Sequence, residues 1–174
     1  CSQVMMTMVQ LPQPVIAQVH GMATAAGCQL VANSDLAVAS TAARFAVSGI
    51  NLGLFCSTPS VPLSRNVSRK RAFEMLMTGR FIDAQTAVDF GLINQVVAPE
   101  DLDAAVTALA QDIASKPRDS ICAGKALFYK QLEWDLSQAY AVAGEVMAGN
   151  MMFDDTKEGI DAFIEKRHPN WPQN

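Results

Sequence analysis

The first 34 residues contain no Asp, Glu, Lys or Arg, a pattern that predicts burial within the protein or an interface. Val4, Met5 and Met8 fall at helical spacing until Pro12 and Pro14 stop the helix. Val15-Ile16-Ala17-Gln18-Val19 then reads as a buried strand closed by Gly21. The small residues Gly21 to Gly27 allow a close backbone approach and lead into a short helix over Cys28 to Ser34. Leu36-Ala37-Val38-Ala39 is a second buried strand and Arg44-Phe45-Ala46 a third extended piece. Ile50 to Ser60, rich in Gly, Ser, Thr and Pro, reads as a loop.

From Arg69 the apolar period becomes helical. Phe73, Met75, Leu76 and Met77 precede a Gly79 cap, and Ala84 to Phe90 precedes Gly91. Leu92 to Val97 is one more strand. Pro99-Glu100-Asp101 opens a helix whose apolar face is Leu102, Val106, Leu109 and Ile113. A long helical stretch runs from about Ser120 to Met147. Asp155 and Glu158 have capping-box spacing ahead of the stripe Ile160, Phe163, Ile164, and Pro169 stops the last helix. The order is that of an α/β protein with a helical C-terminal part, which divides into residues 1–98 and 99–174.

Composition narrows the function classes. Half of the 174 residues are hydrophobic and only 17% are charged, the profile of a packed globular protein with some surface covered by partners. A net charge of −4 argues against nucleic acid or anionic membrane as partner through a broad basic face. Polar residues interrupt every apolar run before it reaches the length of a membrane span. The four cysteines form no CxxC pair and only two histidines are present, so no metal site is expected and reduced thiols point to an intracellular setting.

Candidate chemistry is sparse. Backbone N–H groups at the Ala25-Ala26-Gly27 turn, backed by a helix dipole, could hold an oxygen that gains negative charge. Cys28 in the same first turn could serve a thiol-dependent hydrolase with His20 as base, although apolar neighbours favour an inert buried thiol. Arg65, Arg69, Lys70 and Arg71 could meet phosphates but suit a solvated helix start better. No Walker, dinucleotide, G-x-S-x-G or H-E-x-x-H motif occurs.

The run Pro14 to Leu30, P-V-I-A-Q-V-H-G-M-A-T-A-A-G-C-Q-L, resembles the signature P-V-I-A-A-V-N-G-x-A-x-G-G-G-C-E-L of the enoyl-CoA hydratase/isomerase (crotonase) family. The likeness continues through Asp35 to Ala39, Ile50 to Gly53, Met77-Thr78-Gly79, Gly91-Leu92-Ile93 and Lys157 to Arg167. It implies a crotonase-like spiral of ββα units, partial over 1–98, followed by a helical oligomerisation region over 99–174 that builds a homo-trimer or hexamer. It also implies that family strands supplying the first oxyanion N–H lie upstream of Cys1. The ligand implied is an acyl-CoA thioester, with no further cofactor, in a bacterial cytoplasm or a mitochondrial matrix.

Residue by residue, the resemblance makes Ala26 the second oxyanion donor through its backbone. It puts Gln29 and Gly49 at the two catalytic glutamate positions, and Ser57 where some isomerases carry an aspartate. Gly27, Phe55 and Cys56 would line the substrate site, and Phe163 and Lys166 would reach the CoA of a neighbouring subunit. Glutamine can hydrogen-bond water but exchanges no proton near neutral pH, and glycine does neither. The expectation is thioester binding with at most trace hydration, improved most by Gln29→Glu combined with Gly49→Glu. A non-catalytic acyl-CoA sensor or partner subunit is the alternative within the family.

Overall fold

The computed structural model describes residues 1–171. The chain forms two compact units, one over Cys1–Ala110 and a second from Gln111 onward.

In the first unit the chain climbs through two sheets at once. After α1 (Ser2–Gln10), β1 (Ile16–Val19) enters one sheet and β2 (Met22–Thr24) the other; α2 (Ala26–Asn33) follows, and β3 (Leu36–Ser40) and β4 (Arg44–Ala46) repeat the step. β3 pairs parallel with β1, Ala17 opposite Ala37, and β4 pairs parallel with β2, Ala23 opposite Phe45. Each ββα passage therefore adds one strand to each sheet, which is the spiral expected of the crotonase fold. β6 (Gln95–Val97) extends the first sheet in parallel beside β3, and β5 (Ile82–Asp83) closes the second antiparallel to β4.

Strands covered on both faces read as continuous apolar runs, and β3 is buried from Ala37 to Ser40. Phe45, Leu63, Val38, Val47 and Cys28 are the largest fully buried apolar side chains. Polar side chains stitch the strand ends: Asp35 accepts from the Val15 amide at 2.6 Å, and Asn94 accepts from the Ala37 amide at 2.8 Å. α3 (Ser57–Asn66) packs on α2, α4 (Arg69–Thr78) on α3, and α5 (Ala84–Asp89) against β4, β5 and β6. α4 ends on Gly79 in the left-handed region at φ 60°, where a side chain is strained.

The second unit is helical: the end of α6 (Leu102–Ala114), then α7 (Arg118–Gln131), α8 (Leu136–Asn150) and α9 (Asp154–Glu165). Asn150 donates to Ser120 Oγ at 3.0 Å and to Thr156 Oγ1 at 3.2 Å, tying the end of α8 to the first turns of α7 and α9. Leu136, Tyr140, Met152 and Phe163 stand exposed on its surface.

Several sequence expectations change. α2 starts at Ala26, two residues early, and β2 appears within the small-residue stretch. The expected loop at 50–60 holds a 3-10 turn (Ser48–Leu52) and the start of α3, because Pro59 occupies the first turn, where no N–H is needed, and only Pro62 costs an internal bond. The strand expected from Leu92 begins at Gln95, and the long helix is broken between Gln131 and Leu136, where Asp135 caps α8 by accepting from the Gln138 amide at 3.0 Å. Asp155 is not an N-cap: Phe153 precedes α9, and Asp155 is buried inside its first turn. The uncharged N-terminal stretch is not wholly buried, since Val4 and Met6 of α1 are each about half exposed while Met5 packs inward. Among the described residues, no helix is long and apolar enough to cross a membrane.

Candidate functional site

The site is built around the start of α2. Ala25, its N-cap, holds φ 48° and ψ −112°, a region costly for any residue with a Cβ. It is held there from both sides: its amide donates to Ala46 O of β4 at 3.0 Å, and its carbonyl accepts from Gln29 N at 2.9 Å. The amides of Ala26, Gly27 and Cys28 then occupy the first helical turn, where no intrahelical acceptor exists, at the positive end of the helix dipole. Ala26 is exposed and Gly27 half-buried, and a Cβ at Gly27 would meet nothing within 4 Å. The space beside Gly27 is therefore open among the described residues.

Gln29 lies one turn further along α2 and is 3% exposed. Its Oε1 accepts from Thr58 Oγ1 of α3 at 3.4 Å, a long contact. Thr24 and Ser48 pair through their hydroxyls at 2.9 Å, linking β2 to the 3-10 turn. Next to Ser48, the Gly49 amide donates to Cys56 Sγ at 3.2 Å, and the Gly49 carbonyl accepts from Leu54 N at 3.0 Å. A Cβ at Gly49 would lie 2.6 Å from Leu54 O and 2.7 Å from Cys56 Sγ. No side chain fits there unless the backbone shifts, which works against the expected gain from Gly49→Glu.

Cys28 is fully buried, and burial, reinforced by neighbouring Cys56 and partly offset by a hydrogen bond with the Ala46 backbone, pushes its thiol up to about 12. A thiolate nucleophile needs the opposite shift. His20 is exposed, and its backbone carbonyl accepts from Ser40 Oγ at 3.0 Å. The thiol-hydrolase reading thus lacks an activated thiol.

Among the other expected residues, Cys56 is buried beside Gly49, while Phe55 is 40% exposed. Ser57 opens α3 with its hydroxyl donating to Phe55 O at 3.3 Å. Phe163 and Lys166 belong to the second unit; Phe163 is exposed, and Lys166 is the left-handed cap of α9 at φ 55°. Thr58, Ser48 and Thr24 were not anticipated. Nothing in a Ser/Thr-rich loop pattern marks which hydroxyl meets the site. Among the described residues, no group of three or more His, Cys, Asp or Glu is placed to hold a metal.

The sequence model of the Enoyl-CoA hydratase/isomerase family matches residues 1–174. The chain belongs to that family. It is 54% identical over 171 residues to the enoyl-CoA hydratase domain-containing protein 3, mitochondrial, of Rattus norvegicus and 51% identical to its Homo sapiens counterpart, covering 98% of this chain in each case. It spans 57% and 56% of the length of those two relatives. Among solved structures, an enoyl-CoA hydratase of Mycobacterium smegmatis superposes with a TM-score of 0.98 at 60% identity, over 99% of this chain and 67% of the other. The human domain-containing protein 3 gives a TM-score of 0.96 at 51% identity, over 98% of this chain and 68% of the other. The spiral of ββα units and the helical C-terminal part are thus features this enoyl-CoA hydratase/isomerase family member shares with those structures.

Proposed function

We propose that the protein containing this chain binds acyl-CoA thioesters with the carbonyl oxygen at the first turn of α2, and that it hydrates ordinary enoyl-CoA at most in trace. The observation that carries this reading is an open helix start beside two positions, Gln29 and Gly49, that hold no carboxylate, one of which has no room for a side chain. The amides of Ala26 and Gly27 stabilise charge on the thioester oxygen. Gly27 leaves space for the acyl group, and Phe55 and Cys56 bound it. Addition of water further needs groups that deprotonate it and protonate the α-carbon, roles for which neither Gln29 nor Gly49 is chemically suited.

Family membership supports acyl-CoA as ligand. It also supports assembly as a trimer or hexamer, in which the exposed apolar side chains of the second unit would be covered and Phe163 and Lys166 would approach a neighbour's CoA. The mitochondrial designation of the animal relatives favours the mitochondrial matrix of the two expected compartments. Titration calorimetry against a panel of acyl-CoAs, with a parallel assay for loss of the enoyl chromophore, tests the proposal. Binding with negligible turnover is expected, whereas brisk hydration of crotonyl-CoA would refute it. A non-catalytic acyl-CoA sensor or partner subunit is the second reading, favoured by the steric block at Gly49; turnover of any acyl-CoA in the panel removes it.

A further inference from the structure

α4 turns one face inward and another out. Ala72, Met75 and Leu76 are buried, whereas Phe73 is 61% and Met77 42% exposed. Arg69 stands one turn before Phe73, Phe73 one turn before Met77, and Lys70 three and seven residues before the same two, so the four share one stripe of the helix. Directly past the Gly79 cap, Arg80 and Phe81 are exposed as well. Arg69, Lys70 and Arg80 have no side-chain hydrogen bond or ion pair among the described residues. Glu74, the one acid of α4, does not neutralise them: Arg71 takes it at 3.2 Å, and the same guanidinium lies 4.7 Å over the Phe90 ring. The result is an exposed strip of three large apolar side chains with free cations at both ends.

We propose that this face of α4 docks an acidic amphipathic helix of a partner protein. The strip belongs to the first unit, whereas the apolar surface assigned above to self-assembly belongs to the second. Helix stability does not account for the charges, since cations in a first turn oppose the helix dipole and no acid stands there to offset them. Covering Phe73 and Met77 with a neutral apolar partner would bury Arg69 and Lys70 unpaired, which is costly. A partner with carboxylates beside its apolar side chains pairs them instead. The length suits one helix lying along another: the ten residues of α4 span about 15 Å, so carboxylates about ten residues apart on a facing helix reach the cations at both ends. A lipid surface suits the strip less, because it meets a whole side of a molecule whose net charge is −4. A single helix meets only the strip.

The test uses the full-length protein and two fluorescein-labelled synthetic helical peptides with the same Leu/Phe centre. One carries glutamate pairs about ten residues apart at its ends, and the other carries lysines in their place. Fluorescence anisotropy should show saturable binding of the acidic peptide, roughly tenfold or more tighter than the basic one and weakening as salt rises. Phe73→Ala, at an exposed position whose change leaves the core intact, should weaken that binding roughly tenfold. Arg69→Glu, Lys70→Glu and Arg80→Glu together should reverse the preference, so that the basic peptide binds and the acidic one does not. No saturable binding, equal affinities for the two peptides in the intact protein, or an acidic-peptide affinity that these substitutions leave unchanged overturns the inference. So does pelleting of the protein with phosphatidylglycerol vesicles while the acidic peptide fails to bind, an outcome that assigns the strip to a lipid surface.

Discussion

The Gly49 amide donates to Cys56 Sγ at 3.2 Å, and a Cβ on Gly49 would stand 2.7 Å from that same sulfur. The hydrogen bond and the exclusion are one feature: the loop is drawn so tight across Gly49 that only hydrogen fits. The Leu54 carbonyl crowds the position from another side at 2.6 Å, and a backbone oxygen cannot swing away as a side chain can.

Gly49→Ala should therefore destabilise the protein by about 1–3 kcal/mol, the usual range for overpacking, read from denaturant midpoints. For the same reason Gln29→Glu with Gly49→Glu should hydrate crotonyl-CoA no faster than Gln29→Glu alone, because the second carboxylate enters only by displacing the loop. A double variant that folds as well as the parent and outperforms the single one would show that the loop yields.

At Ala25 the strain runs in the other direction. With φ 48° and ψ −112°, Ala25 sits where glycine is at ease, and such residues cost of order 1–3 kcal/mol. Ala25→Gly relieves that cost but adds roughly 0.5–1 kcal/mol of unfolded-chain entropy. The net expectation is a stabilisation of about 1 kcal/mol, visible as a higher Tm with the hydrogen bond from residue 25 to Ala46 preserved. A lower Tm would mean that the strain is relaxed in solution.

Cys28 and Cys1 should separate cleanly under a mild alkylating agent near pH ~8, just below the ordinary thiol range. Cys1 is exposed and should label, whereas Cys28, fully buried with its thiol pushed up to about 12, should label only when the protein opens. The same shift gives a pH dependence. In the unfolded chain the thiol ionises near 9.0, so above that pH the unfolded state sheds a proton that the folded state keeps. Stability therefore falls as pH rises from about 9 toward 12. Cys28→Ala should flatten that part of the stability profile.

Glu158 anchors the segment after α9. Arg167 donates to both its carboxylate oxygens, at 2.6 and 2.9 Å, and the Asn170 amide donates to Oε1 at 2.7 Å. The Arg167 bond and then the Asn170 amide hold the carboxyl down from 4.5 to about 2. A depressed carboxylate stabilises fully above its unfolded value and loses that contribution as pH falls through the folded one, here between about 4.5 and 2. Trp171 lies against Gly159, where a Cβ would come within 3.2 Å of its ring. Tryptophan emission should accordingly shift within that window in the parent, and Glu158→Gln should show the shifted emission already at neutral pH.

By itself the sequence determined the strands at Val15–Val19 and Leu36–Ala39, the glycine-ended helices α4 and α5, and the family. Those properties are local: runs covered on both faces have to be apolar, helix ends want glycine or acceptor side chains, and a residue's proton chemistry belongs to its type. What only the tertiary structure decided depends on neighbours brought from far along the chain. Gln29 meets Thr58 across 29 residues. Gly49 is crowded by Leu54 and Cys56 because the chain turns back within seven residues. Cys28 is silenced by the packing of β4, α2 and Cys56 around it. Periodicity carries no record of such distances, since each is set by how the ββα turns stack, and so the crowding at Gly49 and the burial of Gln29 became visible only in three dimensions.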